Sequence, residues 1–150
     1  MKLVEKMKKY LCPPGNGVFT VHTAAELKED LHQHLYQTIQ QDEVQKKWEE
    51  SLDELTKKSQ VCLLGITMDT GGGIQRGANW GPLFLRNELL KNSNYNLIDL
   101  GDTKTIPHLI HDKYLNEKTI ESCQLSLYQE KNSLPVSALS IAEDLSLIHI

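Results

Sequence analysis

Residues 61–91 constrain this chain most, because an apolar run, a glycine-rich loop and a proline-started helical pattern follow one another there. Residues 61–68, Val-Cys-Leu-Leu-Gly-Ile-Thr-Met, are almost continuously apolar, which suits a strand buried on both faces of a parallel sheet. Residues 69–81 carry five glycines and read as a loop. Pro82 fits the first position of a helix over residues 82–91, since it lacks the N–H that would be unpaired there and its φ is preset. Strand, glycine loop and helix make the first half of a βαβ unit. Chemistry in such sheets usually sits in the loops at the carboxyl ends of the strands.

The segments before this stretch read differently. Residues 1–22 are expected to be an extended, lysine-rich, solvated arm, because Cys12-Pro13-Pro14-Gly15-Asn16-Gly17 cannot continue a helix. Val18 to Val21 suit a short extended piece. Thr23-Ala24-Ala25-Glu26 has the form of a capping box, and Leu27, Leu31 and Leu35 follow on one helical face. A second helix is expected over residues 43–58, with Val44, Trp48, Leu52 and Leu55 as its stripe. Residues 1–59 thus read as an arm and helical extension, packed on the side of the domain or used between subunits.

Beyond the central stretch, residues 97–102 read as a second strand ending in Gly-Asp, and residues 103–116 as irregular around Pro107. A helix is expected over residues 117–131, with Ile120, Cys123, Leu127 and Tyr128 on one side. Another begins at Pro135, with Ala138, Ile141, Ala142 and Leu145 apolar. A parallel pair of strands is not a stable unit, so the pattern suggests the opening part of a larger α/β domain.

Composition narrows the classes. A net charge of −4 argues against a nucleic-acid binder, which would normally show a basic patch. No apolar run approaches the roughly 20 residues that span a bilayer. Cys12, Cys62 and Cys123 are too far apart for a zinc-type pair and read as reduced thiols of a cytoplasmic protein, Cys62 as a small core residue.

Few residues assemble into a site. Gly72 and Gly77 have P-loop spacing, but Ala78 and Asn79 stand where Lys and a hydroxyl residue are needed. Gly71 and Gly73 begin a dinucleotide fingerprint that Arg76 interrupts at its third glycine. Arg76 is either a partner for a carboxylate or a surface charge. His32 and His34 face opposite ways on a helix, His108 and His111 lack a carboxylate to complete a site, and His22 and His149 are isolated. Asp99 and Asp102 end the second strand; Asp102 stands at the end favourable for chemistry, but an aspartate there more commonly caps the next turn. No Ser-His-Asp or Cys-His set can be assembled.

Asp69 and the run Arg76-Gly77-Ala78-Asn79-Trp80-Gly81-Pro82-Leu83-Phe84-Leu85-Arg86 resemble the N-terminal signature of the ureohydrolases, the family of arginase, agmatinase and formiminoglutamase. Its pattern is R-x-G-A-x-x-G-P-x-x-(I/L)-R; here Arg76 directly precedes Gly77, with no intervening residue. Ile98-Asp99-Leu100-Gly101-Asp102 is similar to the family's next strand, which ends D-x-G-D, and residues 134–144 to its following helix. The resemblance covers residues 60–144. It implies the N-terminal part of a three-layer α/β/α parallel-sheet domain, truncated here, in an enzyme that hydrolyses a guanidino or formimino C–N bond with two manganese ions. It also implies a homo-oligomer, with Asp69, Arg76 and Asn79 as candidates for the substrate mouth or loop and Gly77, Gly81, Pro82 and Arg86 as structural signature.

The family's metal ligands lie in G-G-D-H-S, D-A-H-x-D and a later D-x-D, none of which this sequence contains. The resemblance therefore assigns no catalytic or metal-binding residue, and the chain alone is expected to bind no manganese and to be inactive. Residues 145–150, Leu-Ser-Leu-Ile-His-Ile, match the translation of a common sequencing-adaptor end and are read as an atypical tail, either an artefact at a fragment end or a native apolar C-terminal strand. Two other readings stand beside this one: a non-enzymatic α/β interaction module, and nucleotide binding through the Gly71–Gly77 loop.

Overall fold

The computed structural model describes residues 3–18, 22–55, 61–70, 74–92 and 97–146. Among these residues the chain is mixed α/β, with six α-helices and a three-stranded sheet. Helix α1 spans Leu3–Tyr10 and runs directly into strand β1, Leu11–Cys12. Helices α2, His22–Tyr36, and α3, Gln41–Asp53, follow. Strand β2 is Cys62–Gly65 and helix α4 is Gly81–Lys91, entered through a 3₁₀ turn at Ala78–Trp80. Strand β3 is Ile98–Thr103, helix α5 Glu117–Tyr128 and helix α6 Ala138–Ser146.

The sheet has the order β1-β3-β2. β2 pairs parallel with β3, as the βαβ pattern requires, while β1 pairs antiparallel on the other side, Leu11 opposite Thr103. The expected extended arm is thus corrected. Its first part is a helix whose Met7 and Tyr10 are buried, and Leu11 and Cys12 complete the sheet. The helix has already ended at Tyr10, and Pro13-Pro14-Gly15-Asn16 forms a tight turn after β1: Asn16 N–H donates to Pro13 O at 3.0 Å, with Gly15 at φ +83°. Proline followed by a left-handed glycine suits a type II turn.

The main core joins α1, α3 and α6 to the sheet. Tyr10, Leu11, Val44, Trp48, Leu52, Ile141 and Leu145 are buried together, with Leu64 and Leu100 of the strands packed against them. The expected stripe of α3 is therefore core, and Leu145, assigned to the atypical tail, belongs to it too. A second cluster joins Leu31 of α2 to Leu83 of α4, with Leu27 and Leu35 beside them. The helical extension is packed on the domain.

Several expectations shift. Among the described residues β2 is an outer strand, and it is not buried on both faces: Cys62, read as a core residue, is exposed, and so is Val61 just before the strand, at 73 %. An apolar sequence shows that a strand can be covered, not that a neighbour covers it. Helix α4 begins at Gly81, so Pro82 takes its second position, and α6 begins at Ala138 rather than at Pro135. The side chains of α5 read as an apolar side are only half-buried. The extended piece at Val18 to Val21 lies outside the described residues except for Val18, as do the side chains of His22 and Thr23 (and with them the capping box), Gly71 to Gly73, His149 and residues 147–150.

Candidate functional site

The two stretches that carry the signature are locked to each other. From α4, Arg86 donates through Nε to Asp99 Oδ2 at 2.7 Å and through Nη2 to Asp99 Oδ1 at 2.8 Å. Its Nη1 donates to Asp102 Oδ1 at 2.6 Å, and Nη2 also reaches Gly101 O at 3.0 Å. All three charged side chains are buried. Aspartates three apart on a regular strand would face opposite sides of the sheet. The register explains why these two do not. Leu63 pairs with Asp99 and Leu64 with Gly101, so Leu100 is an extra residue on β3 and Gly101 takes φ +91°. That bulge turns Asp102 back toward Arg86.

Asp102 does more than meet Arg86. Its Oδ2 accepts Gly15 N–H at 2.8 Å and Gly17 N–H at 3.3 Å, which fixes the turn after β1. Burial pushes the Asp102 carboxyl up from its ordinary value; Arg86 and the two glycine N–H groups oppose that shift. Of the two readings of Asp102, chemistry at the strand end or a cap for a turn, this geometry favours the second, although the turn it holds precedes it in sequence. Burial likewise pushes the nearby Cys12 thiol up to about 12, so it is no nucleophile near neutral pH.

The described part of the glycine loop, residues 69–70 and 74–81, is fastened at Asp69. Asp69 is 8 % exposed and accepts Gly77 N–H at 3.0 Å and Ala78 N–H at 3.1 Å. Its own N–H donates to Pro107 O at 2.8 Å, tying the loop to the segment after β3. A phosphate in this part of the loop would need the backbone N–H groups that Asp69 already holds. Gly77 sits at φ +129°, a conformation that favours glycine. Gly81, by contrast, has φ −48° and open space where a Cβ would stand.

Arg76 is exposed, and Nη1 lies 2.8 Å from His108 Nδ1, so its partner is an imidazole rather than a carboxylate. Asn79, three residues further on, is half-buried. Asp69, Arg76 and Asn79 thus share one loop, but Asp69 serves the backbone. The described residues offer no group of three His, Cys, Asp or Glu side chains able to hold a metal ion, and so no donor set that fits a dimanganese centre.

The histidines separate. His32 is buried on α2, with Nε2 2.8 Å from Pro14 O. His34 is exposed. His108 goes to Arg76, whereas His111 lies 2.9 Å from Glu143 Oε2 through Nε2 and 3.1 Å from Ser140 Oγ through Nδ1. Sequence reasoning found no carboxylate for His111 because Glu143 lies 32 residues away, on α6. No spacing rule links those positions.

No helix among the described residues is long and apolar enough to cross a membrane. Comparison with protein-family models, with curated proteins and with solved structures returns no match for this chain.

Proposed function

We propose that this chain is the N-terminal part of a ureohydrolase-type α/β domain, whose complete form hydrolyses the C–N bond of a small guanidino or formimino substrate. The observation that carries this reading is the buried Arg86–Asp99–Asp102 network. It joins the last residue of the glycine-proline signature to both acids of the D-x-G-D strand. The two motifs behind the resemblance therefore act as one structural unit.

Two features support the larger domain. Among the described residues β2 is an edge strand, and Val61 and Ile66, which flank it, are exposed, a surface suited to further strands. The glycine loop leaves the carboxyl end of β2, where a parallel sheet places its binding loops. Arg76 is the residue of that loop suited to meet a substrate or a neighbouring subunit.

The chemistry that manganese would supply in the complete enzyme is hydroxide available near neutral pH. The family's three ligand motifs are absent from the sequence, and the proposal is that the chain by itself hydrolyses no such bond. The test is the coding sequence downstream of residue 144. An in-frame G-G-D-H-S supports the reading; a continuing frame without that motif overturns it. Urea or ammonia release by the chain with added manganese should stay at background, and turnover comparable to a complete ureohydrolase would refute its inactivity alone.

A further inference from the structure

We propose that Ser140, His111 and Glu143 form a nucleophilic serine site that takes the acyl group of a small activated ester. This site lies away from the glycine loop and is independent of the ureohydrolase reading. The three side chains form one chain of hydrogen bonds. Glu143 Oε2 lies 2.9 Å from His111 Nε2, and His111 Nδ1 lies 3.1 Å from Ser140 Oγ. A carboxylate only accepts, so Nε2 carries the ring proton and Nδ1 keeps its lone pair. The Ser140 hydroxyl then donates to Nδ1, the polarity that general-base activation of a serine needs.

The surroundings fit that role. Asp112 N–H donates to Ser140 Oγ at 3.0 Å, and Ser140 stands in the first turn of α6. Both place positive dipoles near the oxygen that becomes an alkoxide. Lys113 N–H also donates to His111 Nδ1 at 3.1 Å, so this N–H and the Ser140 hydroxyl share the one Nδ1 lone pair, and the Lys113 contact opens when Nδ1 takes the serine proton. His111 is largely shielded, with 14 % of its side chain exposed, while Glu143 stands at the rim with 65 % exposed. A cleft of about 440 Å³ opens beside them, lined by these three residues together with Ile120, Leu134 and Pro135. That volume falls within the range of small-molecule sites, and its apolar wall suits a short acyl chain.

In the reaction, Ser140 Oγ bonds to the ester carbonyl carbon while its proton moves to His111 Nδ1. The bond from that carbon to the leaving oxygen breaks, and the leaving alcohol takes the proton from Nδ1. Water then attacks the acyl-serine and gives a proton to Nδ1. That proton returns to Oγ as the carboxylic acid departs. Glu143 stabilises the imidazolium formed in both halves.

The full chain is incubated with p-nitrophenyl acetate and, separately, with a fluorophosphonate probe, in the presence of EDTA. The expected result is a fluorophosphonate adduct mapped by mass spectrometry to Ser140. Ester hydrolysis above background should accompany it, with a loss of about 10²–10⁴-fold in H111Q. Ser140→Ala should abolish both signals with the circular dichroism spectrum unchanged, and E143Q, at the exposed rim, should slow both. An adduct at another residue, no adduct on the folded wild-type chain, or wild-type hydrolysis by S140A would each overturn the proposal. The wild-type labelling result stands whether or not a variant folds. Because EDTA removes manganese, neither result depends on a ureohydrolase centre.

Discussion

Arg86 Nη1 lies 2.6 Å from Asp102 Oδ1, with both side chains out of contact with water. The pair makes a helix, α4, depend on a strand, β3, and through Gly15 and Gly17 on the turn that follows β1. Charges buried this deeply stabilise a fold only while every partner is present. Removing one leaves the others desolvated and unpaired.

Arg86→Ala is therefore expected to destabilise the chain by about 3–5 kcal/mol, the range for one partner of a buried pair. Arg86→Lys should be nearly as damaging, because an ammonium cannot replace the two-pronged contact to Asp99. Urea denaturation followed by tryptophan fluorescence measures both. A loss below about 1 kcal/mol, the scale of an exposed ion pair, would show that the network is not what holds α4 to β3.

Gly65 and Gly81 should respond in opposite directions to the same substitution. A Cβ at Gly65 would stand 1.9 Å from Asp102 Oδ1 and 2.9 Å from Arg86 Nη1, inside the buried network. Gly65→Ala should cost about 1–3 kcal/mol, as other overpacking changes do. A Cβ at Gly81 meets nothing within 4 Å, and its φ of −48° is helical. Gly81→Ala should stabilise by about 0.4–1 kcal/mol through the unfolded chain. Equal effects at both sites would contradict the packing described around Arg86.

Trp48 ties α3 to the centre of the sheet. Its ring is fully buried, and Nε1–H donates to Leu100 O, in the bulge of β3, at 3.1 Å. Trp48→Phe keeps most of the apolar contact but leaves that carbonyl without its indole donor. The expected loss is about 1–3 kcal/mol, read from the shift in the denaturation midpoint. An unchanged midpoint would mean that α3 is a peripheral extension after all.

These positions also show what the sequence could and could not reveal. The α3 stripe was legible because Val44, Trp48 and Leu52 recur every fourth residue, and burial followed periodicity. The β2–loop–α4 unit was legible from its apolar run, glycines and Pro82. β1 was not, because two residues have no period, and their strand state comes from pairing with Thr103 and Asp102. The exposure of β2 was hidden for a related reason: apolarity reports capacity for burial, while burial depends on neighbours supplied by the fold. Arg86 was marked by its motif, but its partners required the bulge at Leu100, which no local pattern announces. The set of His111, Ser140 and Glu143 joins two distant segments and became visible only in three dimensions.

His32 should make stability pH-dependent. It is fully buried, Nε2 meets Pro14 O at 2.8 Å, and Nδ1 has no hydrogen-bond partner among the described residues. With Nε2–H donating to the carbonyl, protonation would put a charge and an unmatched N–H at Nδ1. Burial is the largest influence and lowers the His32 pKa; Lys28 acts the same way, while the Pro14 carbonyl and Glu29 oppose them. The unfolded chain binds this proton near the ordinary histidine value of roughly 6.5, and the folded chain does so only at lower pH. Between those two values the unfolded state holds more protons, so stability falls as pH falls. The contribution is complete above the unfolded pKa and is lost as pH drops from there toward the folded one. Denaturation midpoints between pH 7.5 and 5 (about one unit above to one and a half below the unfolded value) should decline in the wild type and decline less in His32→Gln. The His32 ring signals in NMR should not titrate near 6.5 as an exposed histidine would. A wild-type curve that is flat, or one that rises toward acid, would mean that the ring can accept its second proton inside the fold.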